Sequence, residues 1–132
     1  YRFLNKYFLF LQIPIGLTLF AMGEKLGVGG WSMVLWGIPL RLVVVYHITW
    51  LVNSATHCWG SIAFDSGDES RNNAWVAALT FGEGWHNNHH AFPNSAKQGL
   101  FKGQIDLTWE HIKLLARFGF AKKIKLPSRT YY

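Results

Sequence analysis

Three of the chain's six histidines fall within five residues, inside the stretch Gly82–His90, whose sequence is GEGWHNNHH. His86, His89 and His90 stand at relative positions 0, 3 and 4. On an α-helix this spacing puts the three imidazoles on one face, on neighbouring turns. Neutral imidazole is the commonest side-chain ligand of metal ions. The spacing therefore predicts part of a metal site, against the alternative of a helix end or polar loop that is merely rich in histidine.

Two further polar residues, Asn53 and His57, lie four positions apart near the end of an apolar stretch, hence on one helix face. Polar groups at the edge of a membrane are costly and usually mark a functional interior, although a helix-end cap is the alternative. His47 points to another side of such a helix than His57, so we expect it to be a structural or interface histidine and not a metal ligand.

Together these residues offer four imidazoles and one amide, from His57, the histidine cluster and Asn53. Nitrogen-rich sites suit iron, zinc or copper better than magnesium or calcium. A catalytic centre also needs an open position on the metal. Iron would suit oxygen activation and cleavage of an unactivated C–H bond, which no side chain achieves alone.

The composition indicates a membrane protein. Of the 132 residues 50% are hydrophobic and only 15% are charged, against about 25% in typical soluble domains. The net charge is +6, and nine of the 13 basic residues lie at or after Arg71. This asymmetry favours a basic cytosolic C-terminal part over nucleic-acid binding. Cys58 is the single cysteine, which excludes an intrachain disulfide and a cysteine-built zinc site.

Two apolar stretches predict a transmembrane hairpin. Tyr7–Met22 carries no charge, Gly23–Gly30 has the composition of a turn, and the stretch Trp31–Phe64 is interrupted only by Arg41. The core of the second stretch, Leu42–Val52, would be the second spanning helix. Both outer ends of the hairpin would then face the cytosol or its equivalent. The alternative for the first stretch is a buried core helix.

The region after the hairpin reads as a polar loop, Ser61–Asn73, followed by a short apolar helix over Trp75–Phe81. Gly82 and Gly84 permit a sharp change of direction or a close backbone approach. These glycines would turn the histidines back toward the membrane helix, and Pro93 would end the helix that carries them.

The last part of the chain is basic. Lys97–Gly103 is expected to form a flexible loop, and Asp106–Phe118 has the apolar spacing of an amphipathic helix with Asp106 or Thr108 as its cap. We expect His111 on this helix to be an ordinary surface residue. The tail Lys122–Lys125 would lie near anionic lipid headgroups or in solvent.

Two linked motifs carry a specific resemblance to a known family. Trp50–His57 (WLVNSATH), followed by Gly82–Phe92 (GEGWHNNHHAF), resembles the membrane fatty acid desaturases of the Δ9 acyl-CoA and acyl-lipid type. The HNNHH run matches their third histidine box, HxxHH. Asn94–Leu100 and Gln104–Trp109 are closer to the plant and cyanobacterial branch than to animal stearoyl-CoA desaturases. The resemblance covers nearly the whole chain, from Tyr1 onward.

This resemblance implies an all-α enzyme of four transmembrane helices with a cytosolic cap and a non-haem centre of two iron ions. Residues 1–60 would form one transmembrane hairpin, half of the four-helix set, and residues 61–132 the helical cap. The enzyme would use O2 and two electrons from cytochrome b5 or ferredoxin to remove two hydrogens from a fatty acyl-CoA or acyl-lipid. It would lie in an endoplasmic reticulum, plastid or bacterial membrane.

The resemblance also assigns roles by position. Asn53 would hold a water on one iron, and Thr49 and Trp50 would lie beside the bend of the acyl tunnel. The iron ligands it implies are His57, His86, His89 and His90.

The sequence departs from the family pattern in two ways. The first and second histidine boxes, HxxxxH and HxxHH, are absent, and the chain starts without an initiator Met. We therefore expect a fragment that is inactive alone. Phe101–Gly103 stands where relatives carry an acidic residue and two tryptophans, which bears on recognition of the substrate head or the electron donor. The alternatives are a di-iron lipid hydroxylase and a non-catalytic metal-binding membrane remnant.

Overall fold

The computed structural model describes residues 2–127, so Tyr1 and residues 128–132 of the predicted hairpin and cap lie outside it. Within these residues every regular element is helical, and β-structure is limited to isolated bridges at Ser61, Asn72 and Trp85. The all-α prediction is confirmed. The chain divides into two compact units, residues 1–47 and 48–132. The elements are α1 (Arg2–Lys25), α2 (Gly30–Leu35), a π-helical turn (Trp36–Leu40), α3 (Arg41–Cys58), α4 (Ala74–Leu79), α5 (His86–Ala91) and α6 (Leu107–Arg117).

The first unit contains the first apolar helix and the beginning of the second. Helix α1 has 24 residues, about 36 Å, which exceeds the roughly 30 Å of a bilayer's hydrocarbon core. After a turn, the Glu24 carboxylate accepts a hydrogen bond of 2.6 Å from the backbone N–H of Gly30 and so caps α2. A Cβ on Gly30 would stand 2.5 Å from the Phe20 ring. Glycine is therefore required where the two helices meet, as is common between membrane helices.

The second apolar helix runs from Gly30 to Cys58 and contains a π-helical turn that the sequence pattern does not predict. Pro39 lies in this turn and has no N–H with which to continue the α-helical ladder. The Arg41 Nε donates instead to the Gly37 carbonyl, 3.0 Å away, so a side chain satisfies one backbone acceptor there. Such bulges re-satisfy backbone groups around proline in apolar surroundings.

Both long helices carry their apolar side chains on the outside. In the most apolar windows of Arg2–Lys25 and Gly30–Cys58, only 6% and 0% of the residues are buried. The core helix of a soluble protein would be mostly buried, so the alternative of a buried core helix does not fit. By length and composition, both helices can cross a membrane.

The second unit packs around the end of α3. Val52 and Ala55 of α3 pack against Val76 of α4, with Leu51 beside them. Helix α4 is capped by Asn73, whose side-chain oxygen accepts hydrogen bonds from the backbone N–H groups of Trp75 and Val76 in the first turn.

Asp106 caps helix α6 by accepting a 2.8 Å hydrogen bond from the Trp109 N–H. It is one of the two residues that the sequence predicts as the cap. Contrary to the expectation of a flexible loop, the segment before it is tied down. The other Asp106 oxygen accepts from the N–H groups of Gln98 and Gly99 at 2.7 and 2.9 Å. Buried polar anchors of this kind fix a loop that composition alone would leave mobile.

Candidate metal centre

The last turns of α3 present Asn53 and His57 on one face. Between them Thr56 is fully buried, and its hydroxyl donates to the Val52 carbonyl within the helix. The Thr56 carbonyl accepts a 2.7 Å bond from the Arg71 N–H, which ties this turn to the polar loop. Asn53 is exposed, and its amide nitrogen donates to the Thr49 carbonyl at 3.0 Å. His57 is half-buried, at the edge of the cap.

Gly82 and Gly84 allow the segment that carries His86, His89 and His90 to approach its neighbours closely. Gly82 has φ +124°, and a Cβ there would stand 2.6 Å from the Asp106 carboxylate. A Cβ on Gly84 would stand 2.0 Å from the backbone nitrogen of Ala77, which is closer than any side chain tolerates. The predicted turn and close approach are thus both present, and they start the histidine segment directly against α4.

The two asparagines inside the HNNHH run anchor α5. Asn87 is fully buried, and its side-chain oxygen accepts 2.8 Å bonds from the N–H groups of both Ala63 and Phe64. Its amide nitrogen donates to the Phe64 carbonyl at 2.9 Å. Asn87 therefore pairs with the loop as a backbone strand would.

Asn88 holds the opposite side of the same helix. Its oxygen accepts a 2.7 Å bond from the Asn72 amide, and its amide donates to the Gln98 carbonyl and the Gln104 side-chain oxygen at 2.7 and 2.8 Å. It is 1% exposed. Buried amides whose hydrogen bonds are satisfied fix one helix orientation, so the histidines on either side of the two asparagines are held by this network.

His57, His86 and His90 converge. Each offers one ring nitrogen, and these three atoms lie within 4.8 Å of one another. The His86 Nε2 is 3.2 Å from the His57 Nε2 and 3.0 Å from the His90 Nε2. Each ring nitrogen of a neutral imidazole carries either one N–H or one lone pair, so the His86 Nε2 can form a proper hydrogen bond with only one of its two neighbours. A cation at the meeting point would satisfy all three nitrogens.

His89 stands beside this trio. Its ring centroid is 6.0 Å from that of His86 and 5.8 Å from that of His90. Its Nδ1 is buried and has no hydrogen-bond partner among the described residues. An unsatisfied buried donor or acceptor costs about 1–3 kcal/mol, so such an atom calls for a partner. The orphaned nitrogen and the all-imidazole donor set both fit a nitrogen-preferring transition metal such as iron, zinc or copper.

A carboxylate lies behind one imidazole of the trio. The His90 Nδ1 is 2.5 Å from the Asp68 Oδ2, on the opposite side of the ring from the Nε2 that faces His86. Hydrogen bonds from the Ser70 hydroxyl and backbone, with Ser66 and His90 adding to them, hold the pKa of the Asp68 carboxyl far below its usual range. Asp68 therefore remains an anion in this loop.

His86 lies at the centre of the cluster. Burial, with a further contribution from the positive charge that His90 and His57 would carry if protonated, lowers the pKa of His86 to about 4. His86 is consequently neutral at physiological pH and offers a lone pair, the form in which histidine binds a metal.

The remaining predicted residues lie outside the trio. Thr49 and Trp50 are exposed on α3, about two turns before His57. His47 is exposed, and its Nδ1 lies 2.8 Å from the Val43 carbonyl. His111 is exposed on α6. None of these four belongs to the described group of converging nitrogens.

The sequence pattern alone did not single out Asp68, Asn87 or Asn88. Asp68 is one of several acidic residues in a polar loop, and nothing in the sequence separates it from Asp65 or Glu69. The two asparagines did carry a signal, because paired amides within a histidine-bearing helix have low helix propensity and so suggest a specific hydrogen-bonding role.

The chain matches known proteins over nearly its full length. Residues 2–118 match the family model described as fatty acid desaturase. The chain is 54% identical, over 98% of its length, to the sn-1 stearoyl-lipid 9-desaturase of Anabaena variabilis. It is 52% identical over 98% of its length to the chloroplastic palmitoyl-monogalactosyldiacylglycerol delta-7 desaturase of Arabidopsis thaliana. It is also 46% identical, over 99% of its length, to the acyl-CoA C20 Delta5-desaturase of Anemone leveillei.

The chain spans less than half the length of these relatives. It covers 45% of the Anabaena protein, 33% of the Arabidopsis protein and 40% of the Anemone protein. The similarity therefore describes one continuous part of each relative, the part that in this chain carries α1 to α6.

Proposed function

Since the chain belongs to the fatty acid desaturase family, we propose that it forms one side of a non-haem di-iron centre that introduces a double bond into a long-chain fatty acyl group. The observation that carries this proposal is the convergence of three imidazole nitrogens within 4.8 Å at the end of an apolar helix. When bound, the iron pair would supply the activation of O2 that C–H cleavage requires.

We assign the ligand roles as follows. His57, His86 and His90 would each give one nitrogen to iron, and the buried, unpartnered Nδ1 of His89 supports a fourth ligand. Asn53 already donates its amide hydrogen to Thr49, which leaves its oxygen as the acceptor for a water held at one metal. Two irons need more donors than these, so further ligands come from outside the described residues.

The acyl chain would lie along α3. Thr49 and Trp50 are exposed on this apolar helix, and Thr49 lies eight residues, about 12 Å, from His57 along the axis. An extended apolar chain that contacts these two side chains would reach the imidazoles further along. This placement supports their proposed role as substrate contacts, with the polar head of the substrate left at the membrane surface.

The substrate class follows the closer relatives. Those at 51–54% identity are named as lipid desaturases, and those named as acyl-CoA desaturases stand at 44–46%. We therefore favour an acyl-lipid over an acyl-CoA. The two electrons would come from ferredoxin or cytochrome b5, whichever the compartment supplies.

The topology completes the proposal. Residues 1–60 would contain the membrane hairpin, and residues 61–132 the cap on the cytosolic, stromal or equivalent side. The excess of basic residues after Arg71 supports this orientation. The membrane would be that of the endoplasmic reticulum, a plastid or a bacterium.

The experiment is expression of the full-length protein in a host that lacks its own desaturase, followed by mass spectrometry of the lipid acyl chains. We expect a new double bond with the wild-type protein and none with His86→Ala. His111→Ala is the matched control, because His111 is an exposed histidine of the same cap, and it should leave the product unchanged.

Other products would contradict the proposal. A hydroxylated acyl chain would identify the related lipid hydroxylase instead. A well-expressed, iron-loaded wild-type protein that gives no product with either electron donor would identify a non-catalytic metal-binding protein. The 132-residue chain expressed alone should give no turnover, because it lacks the first two histidine boxes.

A further inference from the structure

Asp68 lies behind His90, at the ring nitrogen that faces away from the converging histidines. The His90 ring points its Nε2 at the His86 Nε2, 3.0 Å away, and its Nδ1 at the Asp68 Oδ2, 2.5 Å away. Histidines that bind metals usually donate their other ring N–H to a carboxylate or carbonyl, which fixes the tautomer and makes the ligand nitrogen more basic. The geometry of His90 and Asp68 has this form.

Hydrogen bonds from neighbouring residues hold the Asp68 carboxylate in place beside the His90 ring. Its other oxygen, Oδ1, accepts bonds from the Ser66 hydroxyl at 2.9 Å and from the Ser70 N–H at 2.8 Å. Ser70 is fully buried, although it lies in a polar loop. The carboxylate therefore has a fixed orientation, with Oδ2 left to face His90.

The same loop is bound to the helix that carries His90. The Asn87 amide donates to the Ser66 hydroxyl at 3.2 Å and to the Ser70 hydroxyl at 3.4 Å. Asn87 stands three residues before His90, on the next turn of α5. The loop and the imidazole are thus parts of one hydrogen-bonded assembly.

Neighbouring acidic residues have other partners. Asp65 accepts a 3.2 Å bond from the Gly67 N–H, and Glu69 pairs with Arg71 at 3.4 Å. Neither contacts a histidine among the described pairs. Asp68 therefore differs from Asp65 and Glu69 in contacting His90, although all three are acidic residues of the same loop.

From these contacts we infer that Asp68 is a positioning residue of the metal centre: it holds the proton of His90 on Nδ1 and keeps Nε2 free as the metal-binding atom. The inference rests on the proposed function, because it assumes that His90 binds the metal. In this role Asp68 acts through His90, so its effect is expected on metal affinity and on the histidine tautomer.

The first test measures iron retention in the full-length protein, purified with iron and dialysed against increasing concentrations of a chelator. We expect Asp68→Ala to lose iron at a chelator concentration roughly 10–100-fold lower than the wild type, the usual effect of removing such a partner. Asp68→Asn, which keeps the shape and loses the charge, should fall between them. Glu69→Gln is the matched control and should retain iron as the wild type does.

The second test reads the tautomer directly, by ¹⁵N NMR of metal-free protein labelled at histidine, with the His90 signal assigned from His90→Gln. We expect the Nδ1-protonated form in the wild type and a mixture in Asp68→Ala. Equal iron retention, or the same tautomer with and without Asp68, would overturn the inference. A wild type that binds no iron would overturn the proposed function instead, and the tautomer comparison would still decide the role of Asp68.

Discussion

Replacing Asn87 with alanine should detach the histidine helix from the loop beside it without removing any histidine from the chain. Asn87 is fully buried, and three of its hydrogen bonds are 2.9 Å or shorter: from the N–H groups of Ala63 and Phe64, and to the Phe64 carbonyl. The Asn87 side chain thereby gives the backbone groups of Ala63 and Phe64 the kind of hydrogen bonds that a neighbouring β-strand would give them. Without it, those groups must find water or remain unpaired.

The cost can be worked from these three bonds. Each neutral hydrogen bond contributes about 0.5–1.5 kcal/mol net, so the three together contribute about 1.5–4.5 kcal/mol. Ala63 is exposed and Phe64 half-buried, so water can replace part of what is lost. A loss of about 3 kcal/mol corresponds to a roughly 100-fold rise in the opening equilibrium of the loop. Domains of ordinary stability, about 5–15 kcal/mol, remain folded after such a loss.

Hydrogen exchange followed by mass spectrometry measures this directly in the detergent-solubilised full-length protein. We expect the peptide that covers residues 62–66 to exchange about 100-fold faster in Asn87→Ala than in the wild type. Asn94→Ala is the matched control, since Asn94 is an exposed asparagine just beyond the same helix. Unchanged exchange at residues 62–66 would refute the reasoning, because it would mean that Asn87 does not hold the loop.

Two further predictions follow from the same contacts. Gly84→Ala places a Cβ 2.0 Å from the Ala77 backbone and should lower the free energy of unfolding by about 3 kcal/mol. Gly103→Ala meets nothing within 4 Å and should cost about 1 kcal/mol, for its positive φ alone. Denaturant unfolding compares the two variants, and equal losses would contradict the steric argument. The metal-free protein should lose stability as the pH falls from 6.5 toward 4, because there the unfolded chain binds a proton at His86 that the folded chain, with the pKa of His86 at about 4, does not. Melting temperatures across this pH range should fall less steeply in His86→Gln, and parallel curves would contradict the assignment.

Local rules recovered the parts of the molecule that depend on local sequence. The HxxHH spacing predicts a helix with three imidazoles on one face, and α5 carries them from His86 to His90. The Asp106 cap and the close approach at Gly84 are also local features, since one side chain or one missing Cβ decides each. The long apolar helices follow from composition alone.

Features that no spacing rule or apolar pattern describes could not be predicted in this way. The π-helical turn at Trp36–Leu40 arises where Pro39 breaks the ladder, and neither its position nor its length follows from an apolar run. The contact between Asp68 and His90 spans 22 residues, so no spacing rule within one helix predicts it. Nor does helical spacing show that the His89 nitrogen lies apart from the trio that His57 completes.

The loop before α6 illustrates the same limit. Its basic, glycine-containing sequence predicts a flexible segment, yet four of its backbone N–H groups are bound by the Asp106 and Gln104 side chains. Two acceptors from the next few residues are enough to order it. Whether a loop is ordered depends on which hydrogen-bond acceptors the fold places beside its backbone N–H groups, and composition does not contain that information.

The central claim is that His57, His86, His89 and His90 bind iron. Iron K-edge X-ray absorption of the purified, iron-loaded full-length protein tests it most directly, with His86→Ala and His111→Ala measured beside the wild type. We expect a nitrogen- and oxygen-rich first shell with the outer-shell scattering of several imidazoles, reduced together with the iron content in His86→Ala and unchanged in His111→Ala. An iron shell without imidazole scattering, or one that is the same in His86→Ala as in the wild type, would contradict the account.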